Sequence, residues 1–407
     1  MEKIKGGVTA AKGFAAAAAA AHIKYENRKD MALIYSARPC AAAGTFTTNV
    51  VKAAPVIWDR DIVESGRAVH GVVINAGIAN ACTGAEGMGY CKRTAQVLAD
   101  LQQIPAESVC VASTGVIGAQ LPMERIRAGV EAMVPGLSET IEAGHAAAEA
   151  IMTTDTKPKE AAVTFEVDGV RVTVGGMCKG SGMIHPNMCT MLGFVTSDAA
   201  IDGALMKEAL RESVKDTFNM VSVDGDTSTN DTVLLLANGA AGNTPITEKG
   251  AAYDAFVEAL NAVNTELAKL IAGDGEGATA LFEVKVVNAA SKADAVTLSK
   301  SVVCSNLTKA AICGHDANWG RILCALGYSG VTFDPERVDL YFESAAGRLQ
   351  IIENGVALNY SEERATEILS QEAVTAICDM KMGEASAVAW GCDLTCDYVK
   401  INADYRS

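Results

Sequence analysis

Residues 175–198, GGMCKGSGMIHPNMCTMLGFVTSD, run from a Gly-rich half into an apolar half, with Thr190 at the junction. A threonine hydroxyl is a weak nucleophile unless a base takes its proton. The free α-amino group of the same residue, with an ordinary pKa of about 7.7–8.0, is such a base. An internal Thr has no such amine. Chemistry of this kind therefore requires a cut just before Thr190, leaving Cys189 as a new C-terminus. The Gly-rich half reads as a loop that wraps a ligand, and GSGMIHPNM as a backbone suited to being held strained for an N-to-O acyl shift. The run TMLGFVT reads as a buried strand that would fix the new terminus. The plainer reading of Thr190 is a β-branched residue opening that strand.

Other chemistries fit the chain poorly. A P-loop needs Lys after its second Gly, where Ser181 stands, and a dinucleotide fingerprint needs Gly at His185 and a helix afterwards. DGDTSTND (224–231) has Thr229 at the turn position and Leu235 at the final ligand position of a calcium loop, so it reads as an Asx-rich turn before a strand. The histidines form no metal-binding pair, and Cys392 and Cys396 lack the second half of a zinc site. No metal and no organic cofactor is expected.

A net charge of −15 argues against a general nucleic-acid binder, which needs a basic face. Twelve scattered cysteines read as reduced thiols of a cytoplasmic protein. The alanine-rich GFAAAAAAAHIKYE is followed at once by charge and reads as a segment entering the fold, not as a signal. No apolar run is long enough to span a membrane.

The elements that must position Thr190 are mixed. Strands are expected at 70–77, 108–115, 163–176, 232–239, 278–289 and 337–343, the third folded into a hairpin at Asp168-Gly169. Helices are expected at 89–102, 121–133, 138–151, 203–217, 249–272 and 361–378, the last capped by Ser361 with Glu362 and Glu363 in its first turn. The rhythm is not a clean β-α-β alternation. It predicts an α/β fold of mixed and antiparallel sheets layered with helices, an α-β-β-α sandwich.

KGSGMIHPNMCTML (179–192) resembles the signature of the ornithine acetyltransferase family, the bifunctional glutamate N-acetyltransferases/amino-acid acetyltransferases of arginine biosynthesis. Companion segments follow in order along nearly the whole chain: GGVTAAKGF (6–14), NACTGAEG (80–87), STGVIG (113–118), IMTTDTKPK (151–159), SVDGDTSTNDT (222–232), GDGEGATAL (273–281), GHDANWGRI (314–322) and NADYRS (402–407). The resemblance implies a self-processing fold of the N-terminal-nucleophile type. It also implies cleavage between Cys189 and Thr190, and an α fragment 1–189 and a β fragment 190–407 that fold together and assemble as α₂β₂.

By the same resemblance Thr190 is the acyl-accepting nucleophile, and Thr114 and Gly115 form the oxyanion hole. Thr153, Lys179, Thr190, Glu276, Asn402 and Ser407 contact the amino-acid substrate. Arg321 is given at most a supporting part. The implied reaction moves acetyl from N2-acetyl-L-ornithine to L-glutamate by a ping-pong acyl-enzyme. Acetyl-CoA is an additional co-substrate in the bifunctional case, and members with and without that activity share these segments. Two alternatives from other classes are a self-processing aminopeptidase or amidohydrolase of the same fold, and a scaffold that has lost catalysis. Three positions depart from the family pattern: Cys189 for Ala, Ser407 for Thr, and Ile78 for Asn.

Overall fold

The computed structural model describes residues 1–185 and 191–403. In chain order the strands are β1 Glu2–Ile4, β2 Ala15–Ala19, β3 Met31–Phe46, β4 Val69–Ile78, β5 Val109–Val116, β6 Lys159–Val167, β7 Val170–Lys179, β8 Leu192–Ser197, β9 Val221–Ser222, β10 Thr232–Ala237, β11 Leu281–Ala289, β12 Asp339–Ser344, β13 Gly347–Glu353, β14 Val356–Ala357, β15 Ala373–Asp379 and β16 Ala385–Cys392. The helices are α1 Ala54–Glu64, α2 Glu86–Gln102, α3 Met123–Met133, α4 Ile141–Ala150, α5 Gly203–Asp216, α6 Ala251–Gly273, α7 Lys292–Val303, α8 Asn306–Cys313, α9 Trp319–Gly327, α10 Glu362–Leu369 and α11 Cys396–Ala403.

The described chain divides into two compact units, one from Met1–Gly180, residues 191–219 and Thr227–Leu267, the other from Ser181–His185, Met220–Asp226 and residues 268–403. The first carries a sheet in the order β1-β6-β7-β8-β10-β3-β4-β5, with β2 also paired to β3. Pairings are antiparallel except β8–β10 and β4–β5. The long β3 joins two halves of this sheet: residues 31–35 pair with β4, and 41–46 with β10. Side-chain alternation assigns the faces. Ile34, Val72, Ile74 and Ala112 join Met177, Leu192, Phe194 and Leu234 in one interior cluster. Leu33, Val73 and Val111 point the other way, onto Leu98 of α2 and Ile126 and Val130 of α3. One apolar interior filled from both sheet halves, with a helical layer outside, is the expected sandwich logic. The second unit carries a sheet in the order β14-β13-β12-β15-β11-β16-β9. Among the described residues no helix is long and apolar enough to cross a membrane.

Two readings of the sequence change, and one stretch with no expected element gains one. The Gly-rich half of the opening stretch is not all loop, because Gly175 to Lys179 complete β7. A Cβ on Gly175 would stand 2.2 Å from the carbonyl oxygen of Gly7, so glycine here permits a close backbone approach within a sheet. The helix expected over 361–378 stops at Leu369, and Ala373–Asp379 form β15 between β11 and β12. Its alternating burial at Val374, Ala376 and Cys378 has the period of a strand. The alanines at 15–19 form strand β2 against β3, although Ala is a poor strand former, because a strand edge supplies the partner.

The hairpin at Asp168-Gly169 has positive φ at both central residues, +49° and +78°. A Cβ on Gly169 meets no atom within 4 Å, so backbone strain is the only penalty for adding one. Gly169→Ala is therefore expected to lower stability in urea unfolding by about 1–2 kcal/mol and to leave the rest of the fold unchanged.

Candidate functional site

Within the first unit the oxyanion candidates close β5. Thr114 is paired with Ala76, and Gly115 with Gly77. Gly115 has φ +126°, and a Cβ there would lie 2.2 Å from the Gly77 carbonyl carbon. That position is closed to every residue but glycine on two independent grounds. Thr114 is buried, and its Oγ1 accepts a hydrogen bond of 3.1 Å from Nζ of Lys179 at the end of β7. An ammonium group only donates, so the Thr114 hydroxyl must be the acceptor here. Its own proton is left to donate elsewhere, and accepting a charge-assisted bond makes it a stronger donor.

Lys179 is buried too, and a buried cation needs an anion near it. That anion is Asp155. Its Oδ1 accepts from Nζ of Lys159 at 2.6 Å and from the backbone N–H of Gly180 at 2.7 Å. Its Oδ2 accepts from the backbone N–H of Thr153 at 3.0 Å. Burial alone would raise this carboxyl; the charges of Lys159 and Lys179 and the hydrogen bonds outweigh it and hold the pKa at about 2. One carboxylate thus fixes the backbone of Thr153 and the residue after Lys179. Three predicted residues, Thr114, Lys179 and Thr153, belong to this one network.

Asp231 is the contrasting acid. Burial pushes its carboxyl well above the ordinary carboxylate range, against the pull of Ser228 and the charge of Lys179. Its Oδ2 has no hydrogen-bond partner. Burial thus shifts Asp231 upward, while its partners shift Asp155 downward.

The second unit brings together Glu276 and Asn402. Glu276 is buried after the end of α6, its backbone N–H donating to Ser181 O at 3.0 Å. Its Oε2 accepts from Nδ2 of Asn402 in α11 at 2.6 Å. A Cβ on Gly182 would stand 2.3 Å from the Glu276 carboxylate, so glycine at 182 gives that carboxylate its place. In the same unit Asp224 accepts from the N–H groups of Met183, Ile184 and Asp226, making the Asx turn read from the sequence. Arg321 donates to Leu307 O, a structural bond between helices α8 and α9. Cys189, Thr190 and Ser407 lie outside the described residues.

Reasoning from the sequence gave no role to Asp155, Asn230 or Asp231, although all three stand in segments that carry the resemblance. The spacing of Asp155 to Lys159 was the one visible signal of a paired charge. Among the described residues no cluster of His, Cys, Asp or Glu could hold a metal ion.

The sign of the Asp155 contribution follows from its lowered carboxyl. Its folded pKa of about 2 lies below the ordinary value of about 3.9. Its stabilisation is thus complete above pH 4 and is lost as pH falls toward 2. Asp155→Asn should cost about 3–5 kcal/mol at pH 7, because Lys159 is left buried without its anion. The variant's melting temperature should also fall less steeply than the parent's between pH 4 and pH 2.

Residues 15–407 match the sequence model of the ArgJ family. The arginine biosynthesis bifunctional protein ArgJ of Symbiobacterium thermophilum is 55% identical over 409 residues, spanning all of both chains. That of Thermotoga neapolitana is 51% identical over 97% of this chain and 99% of its own. The crystal structure of the arginine biosynthesis bifunctional protein ArgJ from Bacillus halodurans is similar at 44% identity and a TM-score of 0.50, covering 53% of this chain and 99% of that one. The chain belongs to the ArgJ family, the bifunctional enzymes of arginine biosynthesis.

Proposed function

We propose that the protein moves the acetyl group of N2-acetyl-L-ornithine to L-glutamate through an acyl-enzyme on Thr190, after its own cleavage of the Cys189–Thr190 bond. Glutamate N-acetyltransfer is the activity that its family membership and its relatives at 50–55% identity support. The route through Thr190 rests on the sequence at 179–192 and on one observation above all. The Lys179 ammonium donates to Thr114 Oγ1, which leaves a hydroxyl proton ready for a developing oxyanion.

In the first half-reaction the α-amine of Thr190 takes the proton of Oγ as Oγ attacks the acetyl carbonyl. Thr114 O–H and Gly115 N–H receive the alkoxide, and the amine passes its proton to the departing ornithine nitrogen. In the second half-reaction the glutamate amine attacks the ester, and Thr190 Oγ leaves with the proton. Two fixed donors serve both tetrahedral species, and losing one such donor typically costs 10²–10³ in rate. Lys179 supplies a point charge for a substrate carboxylate, and the Glu276 carboxylate one for an α-ammonium group. Thr153, Asn402 and Ser407 complete the substrate contacts in this reading. No metal or organic cofactor takes part, and acetyl-CoA serves as a second acetyl donor in the bifunctional reaction.

Cleavage gives fragments 1–189 and 190–407 that stay together. β8 is hydrogen-bonded to β7 on one side and β10 on the other, so strands from both fragments interleave in one sheet. The fragments pair further as α₂β₂ in the cytoplasm, where the free thiols of the described cysteines would persist.

Thr190→Ala should give a single species near 42.3 kDa on a denaturing gel, with no transfer and no acetyl adduct by intact mass spectrometry. Two fragments from that variant, or transfer by an uncut chain, would end the proposal. Lys179→Met should still fold yet lose about 10²-fold or more in kcat/KM, since both the polarised donor and the substrate charge go with it.

A further inference from the structure

We infer that Asn230 is a positioning residue that sets the place of the oxyanion donors, an assignment that rests on the acetyl-transfer reading above. Within SVDGDTSTNDT the run DGDTSTND reads in the sequence as a turn before a strand, with no role for Asn230. In the structure Asn230 is 7% exposed, and its side-chain amide is fully engaged. Nδ2 donates to the carbonyl oxygens of Ala79 at 2.6 Å and Ser113 at 2.8 Å. Oδ1 accepts from Thr229 Oγ1 at 2.6 Å, which fixes the orientation of the amide.

These two carbonyls flank the donors. Ser113 immediately precedes Thr114. Ala79 follows β4, and its N–H donates at 3.0 Å to the carbonyl of Val116, which immediately follows Gly115. The pair Thr114-Gly115 is therefore held at both ends, at Ser113 by Asn230 directly and at Val116 through Ala79. Gly115 itself is pressed against Gly77. The result is a closed ring of hydrogen bonds around the two proposed donors, with one planar amide bridging it.

The same segment also holds the strand that carries the nucleophile. Two residues beyond Asn230, the N–H of Thr232 donates to the carbonyl of Met191 at 2.9 Å, and Thr232 Oγ1 donates back to Asn230 O at 3.0 Å. Met191 is the residue to which Thr190 is joined. One tripeptide thus grips the end of β5 through a side chain and the start of β8 through its backbone. Oxyanion donors act only when held about 2.7–3.1 Å from the alkoxide, and a misplacement of about 1 Å can cost 10²-fold. Only a neutral amide suits the task. Asp at 230 would point oxygen at two carbonyls, and Ala would leave both unpaired.

The test is a double-mutant cycle on the full chain, with Asn230→Ala, Thr114→Ala and the pair. Each variant is measured for kcat, for KM toward acetylornithine, for the fraction self-cleaved and for melting temperature. Asn230→Ala is expected to lower kcat by 10- to 100-fold with KM changed less than about threefold, and to slow self-cleavage in parallel. In the Thr114→Ala background the same substitution should cost a clearly smaller factor, because one of the two donors it positions is already absent. An equal factor in both backgrounds would overturn the inference, as would parental kcat with only a lowered melting temperature. Should Asn230→Ala fail to fold, Thr229→Val, which removes only the bond orienting the amide, goes through the same cycle and is judged by the same results. Full activity of Thr114→Ala would defeat the oxyanion reading itself and this inference with it. A loss there with additive behaviour at position 230 defeats the inference alone.

Discussion

A cation cannot be left alone in a protein interior, and that constraint organises the first unit's half of the chemistry. Lys179 is buried so that its ammonium can reach Thr114, and Lys159 is buried one strand away. Two such charges without an anion would shed their protons or open the fold. Asp155 answers both, and does so with backbone donors from Thr153 and Gly180 filling its remaining lone pairs. The carboxylate is therefore ionised because of its partners, and the lysines stay charged because of the carboxylate. A hydroxyl at position 114 gains its directed proton only because Lys179 remains an ammonium. Burial pushes the Asp231 carboxyl the other way, well above the ordinary carboxylate range.

The strand runs were legible in the sequence because β-branched and apolar residues gather there in short stretches bounded by turn residues. β4, β5, β10, β11 and β12 fall where that pattern puts them, and the Asp168-Gly169 turn is explicit because its φ values demand those residue types. What failed is what depends on a distant partner. An alanine run has no period and little preference, so β2 exists only because β3 offers it an edge. Residues 361–378 carry a good helix start, and nothing local announces that Ala373 onward is recruited between β11 and β12. The candidate site divides in the same way. Thr114, Lys179, Glu276 and Asn402 come from a resemblance of whole segments, and the structure joins them in two pairs by hydrogen bonds. Asn230 escaped because its partners lie 117 and 151 residues away, a distance over which no spacing rule operates.

The sheet of the first unit also explains how the chain would tolerate the proposed cut. The strand that follows the proposed scissile link, β8, is central, with an antiparallel partner on one side and a parallel one on the other. Its place is set by two ladders and by Leu192 and Phe194 in the interior cluster, none of which needs the link that precedes it. Severing a connection to a central strand removes a tether and leaves the burial intact. An edge strand held by one ladder would be a far weaker place to put a new terminus.

Under the proposed mechanism, self-processing and transfer would place the same demand on the protein, and one set of donors could serve both. An N-to-O acyl shift and an attack on an acetyl group each pass through a tetrahedral carbon bearing a negative oxygen. A site built to stabilise one such oxygen stabilises the other, provided the carbonyl is delivered to the same point. The geometry at Thr114 and Gly115 must therefore exist before the cut and survive it. Hydrogen bonds confined to β4, β5 and the segment leading into β10 meet that requirement, since none of those elements includes the cleaved bond. In this mechanism the chain would commit its rigidity to the oxyanion donors and leave the change in covalent structure to the nucleophile.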